Sequence, residues 1–134
     1  TFHTLGLTII RREIKALGYK PGFSIFDAQD STTLLKELSR NDDVETDDSL
    51  KWQISDWKNN FISPEQALQQ ATDDKMMLHA RLFERYQRQL KAYNALDFDD
   101  LINVPVNLFQ QQPEICEKWQ NYSRTIILKL GKDW

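Results

Sequence analysis

The sequence predicts an all-α fold: an irregular multi-helix domain with one short strand near its C-terminal end. Three observations predict it. Apolar residues recur at spacings of three and four in one segment after another, which places them on single helix faces. Residues that cap helix starts stand in front of several of those segments. Only two short stretches, Phe23-Ser24-Ile25-Phe26 and Thr125-Ile126-Ile127-Leu128, look extended.

The first helix is predicted from about His3 to Leu17, with Leu7, Ile10, Ile14 and Leu17 on one face and Arg11, Arg12 and Lys15 off it. Gly18 is the expected stop, and Pro21 follows. After the extended piece at residues 23–26, Asp27 or Asp30 caps a helix that buries Leu34, Leu35 and Leu38. Residues 40–48 are polar and acidic and read as a loop. The next helix runs from about Ser49 to Phe61, with Leu50, Ile54, Trp57 and Phe61 on one face. Trp52 lies off that stripe, which leaves two readings open: an exposed ring or burial under a wider stripe.

Ser63-Pro64-Glu65-Gln66 combines a serine cap, a proline at the first helical position and a glutamine that closes a capping box. The longest helix follows, about Asp73 to Asn94. Its apolar stripe is His79, Phe83, Tyr86, Leu90 and Tyr93, with Arg81, Arg85 and Arg88 roughly opposite. Asp97 caps a helix with core candidates Phe98, Leu101, Ile102, Leu108 and Phe109; Pro105 is expected to kink or break it. Pro113 opens a last helix carrying Ile115, Cys116 and Trp119. Beyond Asn121 the β-branched run at 125–128 predicts the strand.

With 134 residues this is one domain, long enough to bury a core. The 40% hydrophobic and 28% charged content is that of an ordinary soluble protein. No run approaches a membrane span, and no basic-plus-apolar leader stands in the sequence. A single cysteine, Cys116, rules out an internal disulfide framework and fits a reducing, cytoplasmic setting. The net charge of −3 argues against nucleic acid as the first guess. The charges are segregated, however: Asp42, Asp43, Glu45, Asp47 and Asp48 crowd one stretch, and the rest is slightly basic.

Motifs for catalysis are missing from the sequence. A phosphate cradle ends in Gly-Lys-Ser/Thr, whereas Gly131-Lys132 is followed by Asp133. No strand ends in the Asp-Glu pair that would hold magnesium. His3, His79 and Cys116 do not have zinc-ligand spacing, so no metal site is expected. A Cys-His nucleophile remains an alternative to a structural Cys116, which is the reading preferred. Asp97, Asp99 and Asp100 admit metal or acid–base roles, but at a helix start capping is the simpler explanation.

Six pieces of the chain, in order, resemble one family. They are Thr1-Phe2-His3-Thr4-Leu5-Gly6, Phe23-Ser24-Ile25-Phe26-Asp27, Leu34-Leu35-Lys36-Glu37-Leu38, Ile54-Ser55-Asp56-Trp57-Lys58-Asn59, Leu96-Asp97-Phe98-Asp99-Asp100-Leu101 and Trp119-Gln120-Asn121. Order and spacing resemble the Rep/UvrD/PcrA-type superfamily 1 DNA helicases over about residues 1–123. The opening and Trp57-Lys58-Asn59 put the chain nearest the Rep branch. The resemblance implies domain 1B, an all-helical insertion in the first RecA-like motor domain, so residues 1–134 are read as one helical domain with 124–134 unmatched. There the family continues into Asp-Glu-Tyr/Phe-Gln-Asp, and Lys129-Leu130-Gly131-Lys132-Asp133-Trp134 does not; a divergent sequence and an artificial end or join are both consistent with that.

By this resemblance the longer protein uses ATP and magnesium to move 3′ to 5′ on single-stranded DNA in replication or repair. The present chain, with neither nucleotide motif, is expected to hydrolyse no ATP and to need no cofactor of its own. Its expected partners are single-stranded DNA, the duplex junction and the remaining helicase domains, with no membrane. Thr1 and His3 match the family's Ib motif, at the edge of the single-strand track. Lys58 and Asn59, with Lys51 two turns earlier, are further candidates for a phosphate, against a plain helix-dipole role for the lysine. Asp97, Phe98, Asp99 and Asp100 are read as a structural motif. A helical protein-interaction module, using loop 41–48 and Trp52, is the alternative function.

Overall fold

Helix α1 (Phe2–Arg12) stops one residue short of Glu13, whose φ of −101° and ψ of 21° break the expected long helix; α2 (Ile14–Leu17) resumes it. Gly18 ends α2 as expected, in the left-handed conformation with φ 78°, and donates its N–H to Ile14 O. The chain then forms β1 (Ser24–Phe26), α3 (Ala28–Asn41), α4 (Asp48–Asn59), α5 (Pro64–Gln70), α6 (Asp74–Ala92), β2 (Ala95–Asp97), α7 (Phe98–Gln111) and α8 (Pro113–Lys132). This computed structural model describes residues 2–41 and 48–132, with 123–132 described by backbone alone. The acidic cluster Asp42, Asp43, Glu45 and Asp47 lies outside the described residues, as does Thr1.

The expected caps form. Asp27 Oδ1 accepts from Asp30 N at 2.8 Å while Asp30 Oδ2 accepts from Asp27 N at 3.1 Å, so both aspartates close the start of α3. Ser63 and Gln66 make the reciprocal pair at α5. A further cap, not expected from the sequence, forms at α6, where Asp73 accepts from Met76 N.

The fold is mainly helical, with one small sheet among the described residues. Its strands are β1, foreseen as extended, and β2, which was not. They pair in parallel, Ser24 with Ala95 and Phe26 with Asp97. Asn94 makes this possible. It sits at φ 50°, and its amide bonds Lys20 N and O at 3.3 and 3.0 Å. Asparagine tolerates that conformation because its short polar side chain bonds locally.

The sheet separates two apolar clusters. The larger gathers Leu34, Leu35 and Leu38 of α3, Leu50, Ile54 and Trp57 of α4, and Phe83, Tyr86 and Leu90 of α6; Trp57 and Phe83 stack at 5.4 Å. The smaller is built on Ile10, Leu96 and Leu101. Neighbouring residues of β2 point to opposite faces, so Ala95 joins the first cluster and Leu96 the second.

Four expectations are corrected. The strand at 125–128 is helix: α8 runs through it, because a β-branched run with no neighbouring strand to pair with keeps its backbone bonds in the helix. Pro105 does not break α7, which continues to Gln111. Phe61 lies beyond α4, half-exposed, with φ 56°. Tyr93 caps α6 and is 55% exposed, packed on Phe26 rather than in the core.

Candidate nucleic-acid interface

The junction of β2 and α7 is built from Asp97. Its Oδ1 accepts from Asp100 N at 3.0 Å, while Asp100 Oδ2 accepts from Asp97 N at 3.2 Å, a reciprocal cap. Asp97 also accepts from the Tyr86 hydroxyl at 2.7 Å, and Ser31 Oγ lies 3.0 Å from that same hydroxyl. Asp99 accepts from Ser55 Oγ at 2.7 Å. These contacts link the acidic motif to α4 and α6 directly, and to α3 through the Tyr86 hydroxyl.

Lys58 is the cation of this network. Its ammonium lies 2.8 Å from both Asp97 oxygens and 2.9 Å from Asp100 Oδ1, and the residue is only 6% exposed. This corrects the expectation that Lys58 holds a phosphate, since its charge points inward and is already shared by two carboxylates. Burial opposes the charge on Lys58, but Asp100 and Asp97 outweigh it and raise its pKa. At Asp97 burial is likewise opposed, by Lys58 and the Tyr86 hydroxyl, which hold the carboxyl below its ordinary value. At Asp100 burial prevails over the attraction of Lys58, and with the charge of Asp97 it pushes the carboxyl up to about 6.

The other two α4 candidates are also engaged. Lys51 Nζ bonds Ala28 O at 3.2 Å and Thr32 Oγ1 at 2.9 Å, tying α4 to α3. Asn59 is exposed but accepts from Asn103 Nδ2 at 2.8 Å, tying α4 to α7. Lys51, Lys58 and Asn59 thus do not converge on one exposed site.

His3 is different. It is exposed on the first turn of α1, and its ring meets Phe98 at 5.6 Å, tilted by 55°. Phe98, expected in the core, is 43% exposed, and Phe2 beside His3 is 81% exposed. Residue patterns place an apolar ring after a cap inside, so Phe98 was missed. The available signal was its position at the first residue of α7, before the helix settles onto the core. Leu5, Ile102 and Val106 extend the exposed apolar surface along α1 and α7. Trp52 is also exposed, at 67%, on α4.

A family comparison decides what kind of chain carries this surface. The model of the UvrD/REP helicase N-terminal domain matches residues 1–128. The chain belongs to that family. It is 44% identical to the ATP-dependent DNA helicase Rep of Escherichia coli (strain K12), over 99% of this chain and 20% of the relative. Rep of Salmonella typhimurium gives the same values. The ATP-dependent DNA helicase PcrA of Staphylococcus aureus (strain Mu50 / ATCC 700699) is 37% identical over 90% of this chain and 17% of the relative. The chain therefore spans about a fifth of the length of the curated relatives it matches.

Gly131 and Lys132 are helical, within α8, rather than in a phosphate-cradling loop. Among the described residues no group of three or more His, Cys, Asp or Glu is placed to hold a metal ion. No helix among them is long and apolar enough to cross a membrane.

Proposed function

We propose that this chain is domain 1B of an ATP-dependent 3′–5′ DNA helicase: the helical insertion that borders the single-strand track and faces the duplex junction, with no ATP hydrolysis of its own. The longer protein, on this reading, is cytoplasmic, and its remaining domains supply ATP, magnesium and the motor. Membership of the helicase family supports the class of protein. The observation that carries the DNA-side role is the exposed His3–Phe98 ring pair. Bases stack on aromatic faces with little regard to sequence, which suits a protein that must move along any strand. His3 of this pair lies in the family-matched opening with Thr1, and the buried Lys58 network fixes the turn that holds Phe98.

Phe98→Ala is expected to weaken binding of single-stranded DNA about 5- to 150-fold, from the roughly 1–3 kcal/mol that a stacked base contributes. Fluorescence anisotropy with a labelled oligonucleotide measures this. Unchanged affinity, with the variant folded by circular dichroism, would remove the ring pair from the interface. Trp52 favours a second reading, a protein-interaction module, because an exposed tryptophan is a frequent binding anchor. That reading predicts that Trp52→Ala, not Phe98→Ala, abolishes capture of a partner.

A further inference from the structure

On the opposite side of α7 from Phe98 lies a cleft of about 500 Å3, between the end of α2, the α4–α5 turn and α7. Its lining is mixed: apolar and aromatic residues such as Leu17, Phe61, Ile62 and Phe83 share it with a row of carboxamides. Asn103, Asn107 and Gln111 recur one helical turn apart along α7, and Gln87 faces them from α6. Asn103 and Gln111 each spend one amide N–H on a neighbour, Asn59 and Asn107, which leaves both with further donor and acceptor capacity. Lys58 reaches this cleft already neutralised by Asp97 and Asp100, so the wall offers hydrogen bonds without an unpaired cation.

Phe61 stands at the mouth. Trp57 O accepts from Ile62 N at 2.9 Å and Lys58 O from Phe61 N at 3.1 Å, which closes α4 with Phe61 in the left-handed position that glycine usually fills. A bulky residue held at φ 56° carries a backbone cost. Core packing does not account for that cost, because the ring is 44% exposed. Tyr19 lines the same cleft; burial, with Asp100 and Asp97, pushes its hydroxyl pKa up to about 12, so it remains an O–H donor.

We infer that this cleft binds a single unpaired nucleobase of DNA, stacked on Phe61 and read along its edge by the carboxamides of Asn103, Asn107 and Gln111. Carboxamides present a donor and an acceptor side by side, which is the pattern of base edges. A wall without a spare cation takes the base and leaves the phosphate in solvent. The inference rests on the DNA-side reading above and adds a second contact, away from the His3–Phe98 platform.

The test compares oligothymidine with an abasic oligonucleotide of the same length and phosphate count, by anisotropy at low salt. The chain is expected to bind oligothymidine about tenfold more tightly. Phe61→Leu is expected to remove about tenfold of oligothymidine affinity while leaving abasic affinity unchanged, consistent with one stacked base. Phe61→Gly guards against a folding artefact: it should raise the thermal midpoint by relieving the backbone, yet lose the same affinity. Abasic and oligothymidine binding that are equal, or affinities indifferent to both Phe61 variants, would overturn the cleft assignment and leave the DNA-side reading intact. No binding of either oligonucleotide would overturn both. A change of oligomeric state in the Phe61 variants without a change in oligonucleotide affinity would assign the cleft to protein contact and overturn the inference.

Discussion

Lys58 ends α4 beside Asn59, a place where an exposed lysine would meet phosphate or complement the helix dipole. Its ammonium instead lies within 2.9 Å of Asp97 and Asp100. Removing one member of a buried ion pair strands the others, at a cost of about 3–5 kcal/mol. Lys58→Met, which keeps the apolar stem, is therefore expected to destabilise the chain by about that amount in urea unfolding. A loss under about 1 kcal/mol would mean that water reaches the site. Asp100 gives a pH signature. Its folded pKa, about 6, lies above its ordinary 3.8, so as pH rises between those values the unfolded chain releases the proton first. The stability Asp100 contributes is thus complete below about pH 4 and lost as pH rises through about 6. Relative to Asp100→Asn, the wild-type chain should lose stability across that window and run parallel above it. A difference that grew in the other direction would contradict this environment for Asp100. The cap at Asp97 was legible in the sequence, because capping is local. Lys58 was not, because its partners lie 39 residues away or more.

Helices α1 and α7 cross where two unusual residues meet. Pro105 has no N–H for the carbonyl of Leu101, one turn back in α7. Gly6 of α1 packs on that same carbonyl: a Cβ built at Gly6 would lie 1.7 Å from Leu101 O. The absence of a side chain lets α1 close over the carbonyl that the proline leaves without its helical partner, and α7 continues through Pro105, which is buried. Gly6→Ala must push the helices apart, at a cost of about 1–3 kcal/mol or more, read as a lower thermal midpoint. A neutral substitution would refute this packing. Sequence patterning recovered the helices themselves well: the caps of α3, α5 and α7 formed as read. It failed where distant contacts decide. The break at Glu13 has such a contact beside it, since its carboxylate, 8% exposed, accepts from Trp119 Nε1 at 3.0 Å and pairs with Lys118 on α8. Strand β2 is three residues long and exists only through β1, too short for any periodicity to announce.

Across the whole molecule, the acidic residues mislead unless their positions are considered. The net charge of −3 points away from nucleic acid, yet Asp97 and Asp100 are buried around Lys58 and five more acidic residues stand in one stretch at 42–48. What remains exposed near the start of α1 is an aromatic platform with Arg11 and Arg12 farther along the same helix. The architecture was legible as a mainly helical domain, and the family from six ordered pieces of sequence. The placement of the surface was not, because the apolar pattern behind the Asp97 cap reads Phe98 and Ile102 as core, whereas both are exposed. The most direct test of the DNA-side account is a titration of this chain with single-stranded and forked DNA at rising salt. The account predicts binding to both at low salt, with log affinity falling linearly against log salt as phosphate counterions are released. Failure to bind either DNA at low salt, or affinity indifferent to salt, would contradict it.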